Sequence, residues 1–90
     1  MNTFNGIIEK VGEVEHFTTQ DGRPFSRRRV LLKTVEEFPQ SMEVTLSNDL
    51  AESFNGQVGQ QATAYIKFKT HPNKDNTALF NDIMAWRIDY

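Results

Sequence analysis

Hydrophobic residues in this chain recur at every second position over most of its length. That spacing puts alternate side chains on opposite faces of an extended backbone, so it signals strands. It is clearest in residues 61–70, QATAYIKFKT: Ala62, Ala64, Ile66 and Phe68 share one face, and Thr63, Tyr65, Lys67 and Lys69 the other. Residues 42–47, MEVTLS, repeat it with Met42, Val44 and Leu46 inward. Residues 25–35, FSRRRVLLKTV, place Val30, Leu32 and Thr34 on the core side, with Arg27, Arg29, Leu31 and Lys33 opposite. Residues 3–17 read as one long strand containing Gly6 and Gly12; glycine inside a strand marks a bulge or a sharp bend. Residues 79–88 read as the last strand, with Trp86 on the core face beside Met84 and Ile88, and with Asp82 in the same row at a barrel end.

Turns and one helix punctuate these strands. TTQDGRP (18–24) is a turn of the Asp-Gly type followed by proline, EEFPQS carries Pro39, and HPNKDNTA (71–78) is a polar hairpin loop. Residues 48–55, NDLAESFN, form the one convincing helix. Capping side chains stand at Ser47 to Asp49, Leu50, Ala51 and Phe54 form an apolar face, and Gly56 is a stop. Strand, strand, strand, short helix, strand, strand is the order of an OB-fold: the expectation is an all-β, five-stranded OB-fold barrel with one short helix between strands 3 and 4.

Ninety residues make one domain, 1–90, that buries roughly 65% of its unfolded surface. No apolar run approaches the ~20 residues that span a bilayer, and MNTFNGIIEK lacks the basic-then-apolar pattern of a secretory signal. With no cysteine there is no disulfide, thiolate nucleophile or cysteine-ligated zinc. A cytoplasmic location is expected, with no membrane partner.

The net charge is −2, whereas nucleic-acid modules usually carry a basic excess. Binding of that kind must therefore rest on local asymmetry. Residues 22–33, GRPFSRRRVLLK, hold five of the ten basic residues, Arg23, Arg27, Arg28, Arg29 and Lys33, and no acid. Lys67, Lys69 and Lys74 form a second basic group. OB-folds bind oligonucleotides or oligosaccharides across strands two and three and the flanking loops. Single-strand binders combine basic grooves with aromatic platforms. The candidate nucleic-acid-binding residues are thus Arg23, Phe25, Arg27, Arg29, Lys33, Tyr65, Lys67, Lys69 and Lys74, with Phe25 and Tyr65 stacking bases. The competing reading is a solvated face whose charges discourage edge pairing. Arg28 points toward the core by parity; it needs a carboxylate partner at the barrel mouth, or a bulge. Phe25, Phe38 and Phe80 flank loops, where barrel plugging is the commoner role.

Three stretches, FNDIMAWRI (80–88), RVLLKTVEEFP (29–39) and FNGQVGQQATAYI (54–66), resemble a small bacterial group of uncharacterised OB-fold proteins. That group is a domain of unknown function with a loose likeness to single-stranded DNA-binding proteins. The strongest element is Asn81-Asp82-Ile83 followed by Ala85-Trp86. The resemblance implies the fold and carries no activity with it. The Gly/Gln/Pro-rich tail and acidic tip that bacterial single-strand binders use to recruit partners are not present, which argues against a replication-hub role.

The expected function is non-catalytic binding of single-stranded nucleic acid, DNA before RNA, with low sequence specificity and as a homodimer or higher homo-oligomer. The alternative is a protein–protein interaction module with no nucleic-acid binding. No cofactor, metal or catalytic residue is expected. His16 and His71 are far apart without ligand spacing, and no nucleophile-elbow, P-loop or dinucleotide motif occurs.

Overall fold

The computed structural model describes residues 2–90. The strands are β1 (Asn2–Val11), β2 (Glu15–Thr18), β3 (Pro24–Lys33), β4 (Ser41–Ser47), β5 (Gln61–Pro72) and β6 (Leu79–Asp89), with helix α1 (Asn48–Ser53) between β4 and β5. Six strands replace the five expected, because the stretch 3–17 breaks at residues 12–14 into β1 and β2. The sheet runs β1-β5-β6-β4-β3-β2, and β1 also pairs with β3, which closes it into a barrel. All pairings are antiparallel except β4 with β6, which meet in parallel at Thr45 and Met84.

Closure depends on β1 changing partners midway. Asn2–Ile7 pair with β5, and Ile7–Val11 with β3. The strand must bend sharply there, and a bulge between Ile8 and Lys10 adds to the curl. Gly6 sits at the change-over. A Cβ at Gly6 would lie 2.6 Å from the Lys33 carbonyl oxygen, so only hydrogen lets the two backbones approach.

The core is Ile8, Val30, Leu32, Val44, Leu46, Ala62, Ala64, Ile66, Ala85 and Ile88, closed at one end by Ala51 and Phe54. The inward positions read from β3, β4 and the first half of β5 are therefore correct. Phe68 continues that inward row but is 61% exposed. Beyond Ile66, β5 and β6 leave the barrel as a projecting hairpin, with no β1 residue opposite them among the described residues.

Helix α1 is six residues long, and Ser47 makes no side-chain cap, contrary to the expected capping. Asn48 instead takes a left-handed φ of 52°. Its Oδ1 accepts the Ser26 backbone N–H at 3.2 Å, fastening the start of α1 to β3. Arg28 fastens the other end. Its Nη1 donates to the Phe54 carbonyl at 2.6 Å, just after the helix. The inward-pointing arginine thus satisfies a helix-terminal carbonyl, not the carboxylate expected from sequence. No helix among the described residues is long and apolar enough to cross a membrane.

Candidate nucleic-acid interface

The outer face of β3 carries Phe25, Arg27 and Arg29 at every second position, because Ser26, Val30 and Leu32 are drawn inward. The β2–β3 hairpin raises the first of these. It turns at Thr19–Arg23, where Thr19 N–H donates to Arg23 O at 2.9 Å and Gly22 occupies a φ of +83°. Across this hairpin Phe17 faces Phe25, ring centroids 6.3 Å apart. The Arg27 guanidinium lies 4.8 Å from the Phe17 ring centre, and its Nε is 3.4 Å from Glu15 Oε1. Arg27 is therefore held in place and partly neutralised. Arg29 is exposed and makes no ion pair among the described residues.

Next to β3, β4 contributes Thr45 and Glu43, and β6 contributes Met84 beside Thr45. The projecting β5–β6 hairpin forms the opposite wall. Together these bound a groove of about 610 Å³ lined by Phe25, Arg27, Arg29, Lys69 and Met84, with Glu43, Thr45 and Asn81–Ile83 completing it. The groove runs over the β3–β4 face between the β2–β3 and β5–β6 hairpins. Asp82 turns its charge toward His71, 3.2 Å away, and not toward Lys69, its register partner. Beyond Phe25 lies a second hollow, of about 590 Å³, which includes the carboxylates Asp49 and Glu52 of α1.

The structure brings Phe25, Arg27, Arg29 and Lys69 into one groove, with Lys67 beside it as the register partner of Met84. The other predicted residues stand apart. Arg23 is on the hairpin turn, paired with Asp21 at 3.1 Å. Lys33 is at the far end of β3, 3.8 Å from Glu9. Lys74 is in the β5–β6 loop. Tyr65 sits on the outer face of β5, 5.3 Å centroid to centroid from Trp86 and 5.1 Å from the Arg87 guanidinium. A hydrogen bond from Arg87 Nε to Asp89 at 3.0 Å raises the arginine above its ordinary pKa.

Trp86 corrects the sequence reading: it is 50% exposed and outside the core. The register passes from Ile66 opposite Ala85 to Tyr65 opposite Arg87, so Trp86 is an unpaired bulge residue. The bulge resets the alternation. Ala85 and Ile88 point in, whereas Met84, assigned to the core with Trp86, lines the groove. Phe38 and Phe80, expected to plug the barrel, are 78% and 52% exposed. The groove contributions of Met84, Thr45 and Asn81 were missed, because their placement follows from the bulge and the parallel β4–β6 contact. Among the described residues no three His, Asp or Glu side chains gather as metal ligands.

The chain belongs to the family described as Domain of unknown function (DUF3127), whose model matches residues 3–89. No curated protein matches its sequence. Among solved structures it is similar to the second OB-fold domain of replication protein A from Methanococcus maripaludis. That likeness has a TM-score of 0.67 and 22% identity over 97% of this chain and 79% of the other. It is also similar to the SSB domain of a Synechococcus sp. protein, with a TM-score of 0.61 and 11% identity over 100% of this chain and 96% of the other. At these identities the likeness is one of fold: both neighbours support an OB-fold.

Proposed function

We propose that this DUF3127 protein binds single-stranded nucleic acid, DNA before RNA, along the β3–β4 groove, with low sequence specificity and without catalysis. The observation that carries the reading is the meeting of Phe25, Arg27, Arg29 and Lys69 in one groove between two hairpins. That is where OB-folds take oligonucleotides. A backbone phosphate needs a cation, and an unpaired base needs an apolar face; the groove offers both within one cleft. The solved neighbours, a replication protein A domain and an SSB domain, support it by analogy of fold. Arg27 and Arg29 hold phosphates, Phe25 receives a base, and Lys69 closes the track from the opposite wall. Lys67 extends it. Arg23, Lys33 and Lys74 lie off this path, the first two beside the carboxylates of Asp21 and Glu9.

The test is fluorescence anisotropy of a labelled oligonucleotide of about 20–30 nucleotides, comparing the natural protein with Arg27→Glu plus Arg29→Glu. Salt-sensitive binding that prefers single strand over duplex, and that the double variant loses, is the expected result. Unchanged binding by the double variant would remove the groove from the function. Binding by neither protein would point to the protein-interaction reading.

A further inference from the structure

We infer that Trp86 is a base-stacking platform that carries a bound single strand out of the groove, across β6 and onto β5, with Tyr65 as its support. The inference rests on the proposed nucleic-acid reading and assigns a residue which that reading does not need.

Trp86 is the chain's one tryptophan. Regular alternation counted back from Ile88 would bury it, yet the bulge between Ala85 and Arg87 leaves it outward with half of it in water. The core does not ask for this. Ala85 and Ile88 fill the interior on either side, at 5% and 7% exposure. A tryptophan buries about 150–250 Å² when packed, so an outward indole forgoes much of what the residue offers to folding. Bulges re-aim side chains and recur beside functional sites.

The surroundings favour a ligand with a flat face and a negative backbone. Tyr65 is engaged on β5 by the Trp86 ring at 5.3 Å and by the Arg87 guanidinium at 5.1 Å. Arg87 is itself anchored by Asp89 at 3.0 Å. Tyr65 is therefore not a free platform, as the sequence alone suggests; it holds Trp86, whose exposed surface remains open. Trp86 is two residues along β6 from Met84 in the groove wall, about 6.8 Å. Lys67 is the register partner of Met84, and Arg87 follows Trp86 with its guanidinium over Tyr65, so cationic residues stand at neighbouring positions along both strands. An unpaired base on Trp86 with its phosphates toward Lys67 and Arg87 continues the track that begins at Phe25. A duplex keeps its bases stacked on each other and cannot use the ring.

The test follows anisotropy of a labelled oligothymidylate of about 25 nucleotides and tryptophan emission in one titration of the full chain. Quenching that tracks the anisotropy is expected, with no quenching by duplex. Trp86→Ala should weaken binding about 5- to 150-fold, the range for one lost stack, and the loss should persist at high salt, where phosphate contacts fade. Trp86→Phe should recover most of it. Anisotropy binding with unchanged emission and with Trp86→Phe and Trp86→Ala affinities within twofold of the natural protein overturns the platform and leaves the groove standing. If Trp86→Ala does not fold, emission of the natural protein with Trp86→Phe decides. No anisotropy change at all overturns the groove and the platform together. Quenching by an apolar peptide and not by the oligonucleotide overturns both in favour of a protein ligand.

Discussion

Replacing Arg29 by alanine separates phosphate contacts from general charge. Four cations lie on or beside the groove: Arg27, Arg29, Lys67 and Lys69. Each phosphate neutralised on a single strand contributes about −0.7 to the slope of log K against log salt. Four full contacts give about −2.8. Arg27 is already 3.4 Å from Glu15, so the slope should fall between about −2.1 and −2.8, a loss of about 20- to 50-fold in affinity from 50 to 200 mM salt. Arg29→Ala should flatten the slope by about 0.7, so its loss over that range is about 2.6-fold smaller. Glu15→Gln should do the reverse. It frees Arg27 from an exposed pair worth at most about 1 kcal/mol, so binding tightens up to about fivefold at low salt. Anisotropy titrations at four or five salt concentrations measure all three proteins. An Arg29→Ala slope equal to that of the natural protein, or weaker binding by Glu15→Gln, would refute the assignment of these arginines to phosphates.

Three further outcomes concern the scaffold. Gly6→Ala forces a Cβ to within 2.6 Å of the Lys33 carbonyl oxygen; it should cost about 1–3 kcal/mol, lowering Tm by several degrees in a circular-dichroism melt. Arg28→Ala removes the 2.6 Å bond to the Phe54 carbonyl. It should cost about 1.5–3 kcal/mol in urea unfolding while leaving oligonucleotide affinity within twofold, opposite to Arg29→Ala. Leu32→Ala, at a site with 0% exposure, should cost about 2–5 kcal/mol in the same unfolding assay.

The sequence was legible where each strand keeps its alternation. Val30, Leu32, Val44, Leu46, Ala62, Ala64 and Ile66 are inside as their parity requires, and the order of strands with one helix pointed to the OB-fold. It was illegible where one residue slips. The bulge at Trp86 inverts the faces of Met84 and Trp86, and no local residue announces it. The break between β1 and β2 was foreshadowed by Gly12, but Gly6 looked the same in sequence and only bends its strand. The site was half legible for a related reason. Arg27, Arg29 and Phe25 share a strand face, so parity finds them together, and Lys69 belongs to the other wall. Lys33 shares the parity of Arg27 and Arg29 but lies at the far end of β3, since alternation reports a face and not a distance along it. Arg28 was read as needing a carboxylate or a bulge because a sequence displays charges and hides backbone carbonyls. The end of α1 supplies the oxygen.

The acidic net charge and the basic groove are compatible because screening makes the local balance decisive. At physiological salt the Debye length is about 8 Å, so Glu36 and Glu37 in the loop after β3 count for little at Arg29. Within the groove, Arg27, Arg29 and Lys69 face Glu43 and Asp82. Asp82 lies 3.2 Å from His71, and Arg27 is partly satisfied by Glu15. The excess is small. A groove with that balance cannot hold a polyanion by charge alone, in contrast to strongly basic modules whose affinity is mostly electrostatic. The remainder must come from contacts that salt does not weaken. The candidates are the aromatic side chains along this face, half-buried Phe25 at one end and exposed Trp86 beyond Met84. Stacking on such rings tolerates any base, so a weakly charged groove with aromatic ends implies low sequence specificity as a consequence of its composition.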